Sequence, residues 1–173
     1  MPPTPLLQPH AYQPALALRF DAVRRRLAAV LPHDTAIEHV GASAIPGALS
    51  KGDLDIAVRV PAAAAHAGVV QRLCALRYVP ARDTLRTHTL CMLQWPNTDE
   101  AHALQVVAAG SRFDMFTTFR DALRAQPALV ARYNQLKTDA ANGTEDAYRA
   151  AKAAFIREVL DGLGHAGRAP GEH

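Results

Sequence analysis

From Leu54 to Val60 the chain alternates strictly. Leu54, Ile56, Val58 and Val60 are apolar, and Asp53, Asp55, Ala57 and Arg59 fall between them. A period of two predicts a β-strand with one apolar face. It puts Asp53 and Asp55 together on the other face, about 7 Å apart along the backbone. Upstream, Leu16, Phe20, Val23, Leu27 and Val30 recur at steps of four and three. That spacing predicts an amphipathic helix from Pro14, ended by Pro32, after an irregular Pro-rich arm over 1–13. Ala36 to Val40 reads as a short strand. Pro61 stops the aspartate strand and opens a helix over Ala62–Leu76, with Ala65, Val69, Leu73 and Leu76 inward and Cys74 packed as a small hydrophobe.

Downstream, Tyr78-Val79-Pro80 is a short extended piece, and Leu85–Trp95 reads as a strand. After the turn at Pro96–Glu100, Leu104–Ala108 reads as the return strand of a hairpin. Ser111 and Asp114 resemble a capping box ahead of a helix that carries Phe116, Phe119 and Leu123. Pro127 opens a further helix with Leu129, Tyr133 and Leu136, closed by Asn142-Gly143. Thr144 caps the last helix, which carries Tyr148, Phe155, Val159 and Leu163. Residues after Gly164 read as a loose tail. The sum is an α+β fold in one domain over 14–163.

Composition narrows the function. With 173 residues and 49% hydrophobic content, the chain has enough for one core and is not a disordered protein. A net charge of +3 suits a phosphate-bearing ligand and is too small to argue for duplex nucleic acid. Arg24, Arg25 and Arg26 fan around a helix and read as solvated surface. The two cysteines, Cys74 and Cys91, form no C-x-x-C pair, which points to free thiols in a reducing cytoplasm. The N-terminus has no signal-peptide pattern, and no apolar run reaches the length of a membrane span.

The chemistry gathers around the aspartate strand. Two carboxylates on one face can converge on a hard cation, Mg²⁺ or Mn²⁺, and such a cation can hold a triphosphate. Gly41-Ala42-Ser43 forms a small-residue turn where backbone N–H groups can meet phosphate oxygens. Lys51, Arg86 and Arg120 are the candidate cations for phosphate. Glu38 and His39, just before the glycine turn, either shape it or line a pocket, and His88 and Gln105 are further pocket candidates. The plain alternative for Asp53 and Asp55 is a solvated strand edge. A zinc site from His88, Cys91 and His102 is disfavoured, since residues three apart on a strand face opposite ways.

These residues resemble a known family. Ile37-Glu-His-Val-Gly-Ala-Ser-Ala-Ile-Pro-Gly47 is similar to the I-E-H-[IV]-G-S-T-[AS]-[VI]-P-G block of the GrpB family, placed in the nucleotidyltransferase superfamily. Lys51 to Ile56 resembles its K-P-x-x-D-[IL] segment, Leu104–Ser111 its L-H-V-x-x-x-G-S and Phe119–Arg124 its F-R-D-x-L-R. Tyr133, Leu136, Lys137, Tyr148, Lys152, Phe155 and Ile156 match its C-terminal helices. The resemblance implies a nucleotidyltransferase-like core: a small mixed sheet flanked by helices, with C-terminal helices. It also implies a Gly-Ser turn and a D-x-[DE] strand that hold NTP and metal, with a third carboxylate from a later strand. This chain departs twice. Ala42 replaces the serine of the turn, which leaves Ser43 as the hydroxyl. Gln105 stands where the family has His, with no acid in Leu104–Ala108.

Two functions stay open on the sequence. One is Mg-dependent nucleotidyl transfer from an NTP to an acceptor, with Asp53 and Asp55 as metal ligands and catalytic pair. The other is a module that binds a nucleotide, a phosphorylated metabolite or RNA with little or no catalysis, which the missing third acid favours. An interaction role for the Ala-rich C-terminal helices is a third, weaker reading.

Overall fold

A computed structural model describes residues 5–164. Ten elements follow in chain order: α1 (Pro9–Ala28), β1 (Ala36–Val40), β2 (Asp55–Val60), α2 (Ala63–Ala75), β3 (Val79–Pro80), β4 (Leu90–Gln94), β5 (Ala103–Ala108), α3 (Phe116–Ala125), α4 (Pro127–Ala140) and α5 (Glu145–Gly162). The strands form one mixed sheet in the order β1-β2-β5-β4-β3. β2 and β5 run parallel at its centre, and the other neighbours are antiparallel. This is the α+β arrangement expected, a small mixed sheet with flanking and C-terminal helices.

The alternation in β2 sorts residues between two environments. Leu54, Ile56, Val58 and Val60 join Leu104, Val106, Leu93 and Cys91 on one face, under Leu16, Val23 and Leu27 of α1 and Val69 and Leu73 of α2. Phe20 packs against this core while partly buried. The other face carries Asp55, Ala57 and Arg59, with Gln105 opposite Ala57 in register. Here α3, α4 and α5 build a second core from Phe119, Leu123, Val130, Tyr133, Phe155 and Val159 around Ile45 and Ala48.

Several boundaries differ from the sequence reading. α1 begins at Pro9, so residues 9–13 of the expected arm are helical and Pro14 lies inside a helix. It ends at Ala28, ahead of Pro32, and Val30 is exposed. Cys74 is exposed rather than packed. The strand expected over Leu85–Trp95 is confined to Leu90–Gln94. Asp114 does not cap α3: its carboxylate takes a bidentate ion pair from Arg59 at 2.7–2.9 Å and accepts the Gly110 N–H. Thr144 caps α5 as expected, its hydroxyl accepting from the Ala147 N–H. The tail after Gly164 lies outside the described residues.

The N-terminal segment fastens the loop that leads into β2. Leu7 and Ser50 exchange backbone hydrogen bonds, the Tyr12 hydroxyl donates to the Ala48 carbonyl at 2.7 Å, and the Gln13 amide donates to the Ile45 carbonyl at 2.8 Å. From α4, Asn134 accepts the Leu49 N–H and donates to the Gly47 carbonyl. The loop before Asp53 is thus held from both sides. Among the described residues, no helix is long and apolar enough to cross a membrane.

Candidate functional site

The site starts where β1 hands over to the glycine turn. Gly41 has φ +73°, a left-handed conformation that glycine adopts without a Cβ penalty. A Cβ built there would lie 2.6 Å from Asp55 Oδ2. The turn therefore presses its backbone against the first carboxyl of β2, and only a hydrogen fits between. One strand over, the Gln105 amide donates to Asp55 Oδ1 at 3.3 Å, while Gln105 Oε1 is buried with no partner.

These groups open into a cavity of about 190 Å³ between the sheet and the C-terminal helices. Gly41, Lys51, Asp53, Asp55 and Gln105 line its sheet side. Phe119 of α3, Tyr133 and Lys137 of α4, and Tyr148 and Lys152 of α5 line the other. A wider groove of about 750 Å³ shares Lys51, Asp53, Asp55, Tyr148 and Lys152 and continues past Arg19, Trp95 and Arg149. Asp53 and Asp55 thus stand where the inner cavity and the groove meet.

The Asp55 carboxyl is pushed above the usual carboxylate range. Burial is the main cause, the Gln105 hydrogen bond opposes it, the neighbouring Asp53 charge adds to it, and Lys152 opposes it. A cation at this place would relieve both burial and repulsion. Two carboxylates and an unpartnered amide oxygen are hard oxygen donors of the kind Mg²⁺ or Mn²⁺ takes. Among the described residues, no cluster of three or more His, Cys, Asp or Glu side chains exists to complete a protein cage. The donor set therefore fits an ion that draws its remaining ligands from water and phosphate.

The other expected site residues sit as follows. Lys51 is in the cavity, ion-paired to Glu145 at 2.9 Å and over the Tyr148 ring at 4.2 Å. Ser43 is buried on the far side of the turn, 2.8 Å from His39 Nε2, and His39 stacks on Phe20 at 4.8 Å. Burial, with Arg124 and Arg120 adding to it, lowers the His39 pKa to about 4. Arg120 is buried and joins α3 to β1, donating to Glu38 Oε2 at 2.8 Å and to the His39 carbonyl at 2.9 Å. Neither Arg120 nor Glu38 lines the cavity. Arg86 and His88 are exposed on the loop before β4 and do not reach it. His102 has both ring nitrogens engaged, by the Tyr78 hydroxyl at 2.7 Å and the Glu100 carbonyl at 2.6 Å.

Lys137, Lys152, Tyr133 and Tyr148 are the residues that motif reasoning did not place at the site. Helical spacing carried the signal: each lysine follows its tyrosine by four residues, and so shares the face that carries the apolar stripe.

Comparison with known proteins shows the family and the fold. The family model described as GrpB protein matches residues 8–162. A UPF0157 protein of Vibrio cholerae is 45% identical over 149 residues, covering 86% of this chain and 78% of the relative. The crystal structure of the conserved protein GrpB from Enterococcus faecalis aligns with a TM-score of 0.72 at 20% identity, over 92% of this chain and 99% of that one. A crystal structure of the Cid1 poly(U) polymerase with Mg and 3′-dATP bound aligns at a TM-score of only 0.49 and 14% identity, over 72% of this chain and 38% of the other, too loose to speak for the chemistry here. The match along nearly the whole chain, together with the Vibrio relative, places this protein in the GrpB family.

Proposed function

We propose that the wider groove, where it meets the inner cavity at Asp53 and Asp55, binds a nucleoside triphosphate or a related phosphorylated small molecule through one weakly held Mg²⁺ or Mn²⁺, and that the protein works as a slow nucleotidyl transferase of the kind its sequence block resembles. The observation that carries this reading is the meeting of Asp53, Asp55 and the Gly41 turn with lysine side chains on one cavity. In this reading Asp53 and Asp55 hold the ion, with the Gln105 amide oxygen able to take a bound water. Such an ion neutralises phosphate charge during transfer. Lys152 and Lys51 sit where they can meet phosphate oxygens, and Tyr148 lies beneath Lys51 as an aromatic face. Gln105 supplies hydrogen bonds and no charge, so a second ion lacks a carboxylate among the described residues.

That last point supports a second reading, in which the same site binds nucleotide or a phosphorylated metabolite without turnover. RNA is a further ligand class for the wider groove, where Arg19 and Arg149 add positive charge. The test is calorimetry with Mn²⁺ and a non-hydrolysable NTP. Binding of Mn²⁺ alone is expected to be weak, to strengthen with nucleotide, and to vanish in the Asp53→Asn, Asp55→Asn double variant. Equal binding by the variant sinks the metal site. Slow product formation with hydrolysable NTP supports transfer, and its absence alongside tight binding supports the binding module.

A further inference from the structure

The chain has 19 basic residues, of which 16 are arginine and only Lys51, Lys137 and Lys152 are lysine. All three line the inner cavity. Arginine serves every other cationic position, so positive charge alone does not account for lysine here. Lysine differs from arginine in one relevant respect: its amine can lose a proton near neutral pH when buried, whereas a guanidinium stays charged.

Lys137 is buried enough for that: it is 1% exposed. Its Nζ is held in place by the Leu49 carbonyl, to which it donates, and by the Tyr133 ring, whose centre lies 4.0 Å away, contacts that favour the charged form and that burial outweighs. Among the described residues it has no carboxylate partner, unlike Lys51. The charged and titratable groups lining the cavity with it are Lys51, Asp53, Asp55, Tyr133, Tyr148 and Lys152. Burial first, and then the Lys152 charge, lower its pKa to about 7. A desolvated lysine beside a second cation is the arrangement that makes an amine nucleophilic at neutral pH.

We infer that Lys137 is a reactive amine that captures the carbonyl of a small anionic aldehyde, above all a phosphorylated one, as a Schiff base. The neutral Nζ adds its lone pair to the carbonyl carbon. The carbinolamine then loses its oxygen as water, leaving a C=N bond to Nζ. Lys152 and Lys51 are the groups that receive the phosphate. The cavity volume of about 190 Å³ suits a molecule of a few carbons. Imine formation at Nζ needs no metal; Lys137 lines the inner cavity and not the groove, whereas the two aspartates line both.

The probe is glycolaldehyde phosphate, with plain glycolaldehyde beside it and sodium cyanoborohydride to reduce the imine to a stable secondary amine. Intact mass and peptide mapping of the full chain read the result. One adduct is expected, at Lys137, formed at least about tenfold faster at neutral pH than at Lys51 or Lys152. The phosphorylated probe is expected to react faster than the plain one, with that advantage reduced by Lys152→Gln. Metal chelation is expected to leave the adduct unchanged, which separates this test from that of the nucleotide site. Adducts on Lys51, Lys152 or the N-terminal amine with Lys137 unmodified overturn the proposal, and the wild-type protein alone suffices to see this. Equal rates with both probes overturn the assignment to an anionic ligand.

Discussion

At the scale of single residues, the site turns on what does not fit. Gly41 leaves 2.6 Å between a would-be Cβ and Asp55 Oδ2, at φ +73°. Gly41→Ala meets both problems at once: a left-handed backbone for an L side chain, and a carboxylate that has to move. We expect it to lose more than about 1 kcal/mol of stability in urea unfolding. It should also weaken Mn²⁺-nucleotide binding, because Asp55 is displaced. A variant with wild-type stability and binding would show that the turn does not set the carboxylate's position. That Gly41, Lys51, Asp53, Asp55 and Gln105 line one cavity is legible in the sequence, because short motifs bring them close in sequence or in register. Ser43 falls outside that cavity, since a turn has two sides and spacing does not say which side a hydroxyl takes. Arg120 falls outside it because its carboxylate partner Glu38, 82 positions away, holds it against β1.

At the scale of elements, the alternating pattern is enough for β2, whose apolar set Ile56, Val58 and Val60, with Leu54 just before it, is buried. Ile56 is 0% exposed in β2, an interior strand, and packs in the core beneath α1 and α2. Ile56→Ala is expected to cost about 2–5 kcal/mol, read from the denaturant midpoint with an unchanged slope. A cost near zero would mean that β2 is not central. Boundaries were less legible, because partners outside the segment decide them. α1 extends back to Pro9 because Tyr12, one turn before Leu16, is buried with its hydroxyl on the Ala48 carbonyl. That tertiary contact outweighs the backbone hydrogen bond forfeited at Pro14. β4 is short for the opposite reason. β5 pairs with it from Leu90 to Gln94, and just before that Thr87 folds back to bridge Leu90 instead of extending the strand.

At the scale of the whole molecule, the cavity lies on the sheet face away from the core beneath α1 and α2, between the sheet and the second core among α3, α4 and α5. Such a seam buries a basic side chain at the edge of an apolar core, and it makes the pH dependence of folding a report on the site. His39 has a folded pKa of about 4 against 6.5 unfolded, and Lys137 about 7 against 10.5. Each base is held below its unfolded value, so the unfolded chain binds the extra proton across each window, and stability rises with pH there. His39 therefore weakens the fold as pH falls from 6.5 towards 4. Lys137 imposes its full cost below about 7, and that cost fades as pH rises towards 10.5. Tyr133 acts against this only above its ordinary value of 10, where burial keeps its proton on in the folded state. The urea midpoint of the wild type should thus climb between about pH 6.5 and about pH 9.5. Lys137→Met, which fills similar space without the amine, should flatten that climb and raise the midpoint most at the lower pH. Parallel curves for the two proteins would show that the Lys137 amine is as well solvated in the folded chain as in the unfolded one. The aldehyde chemistry assigned to it would then lose its physical basis.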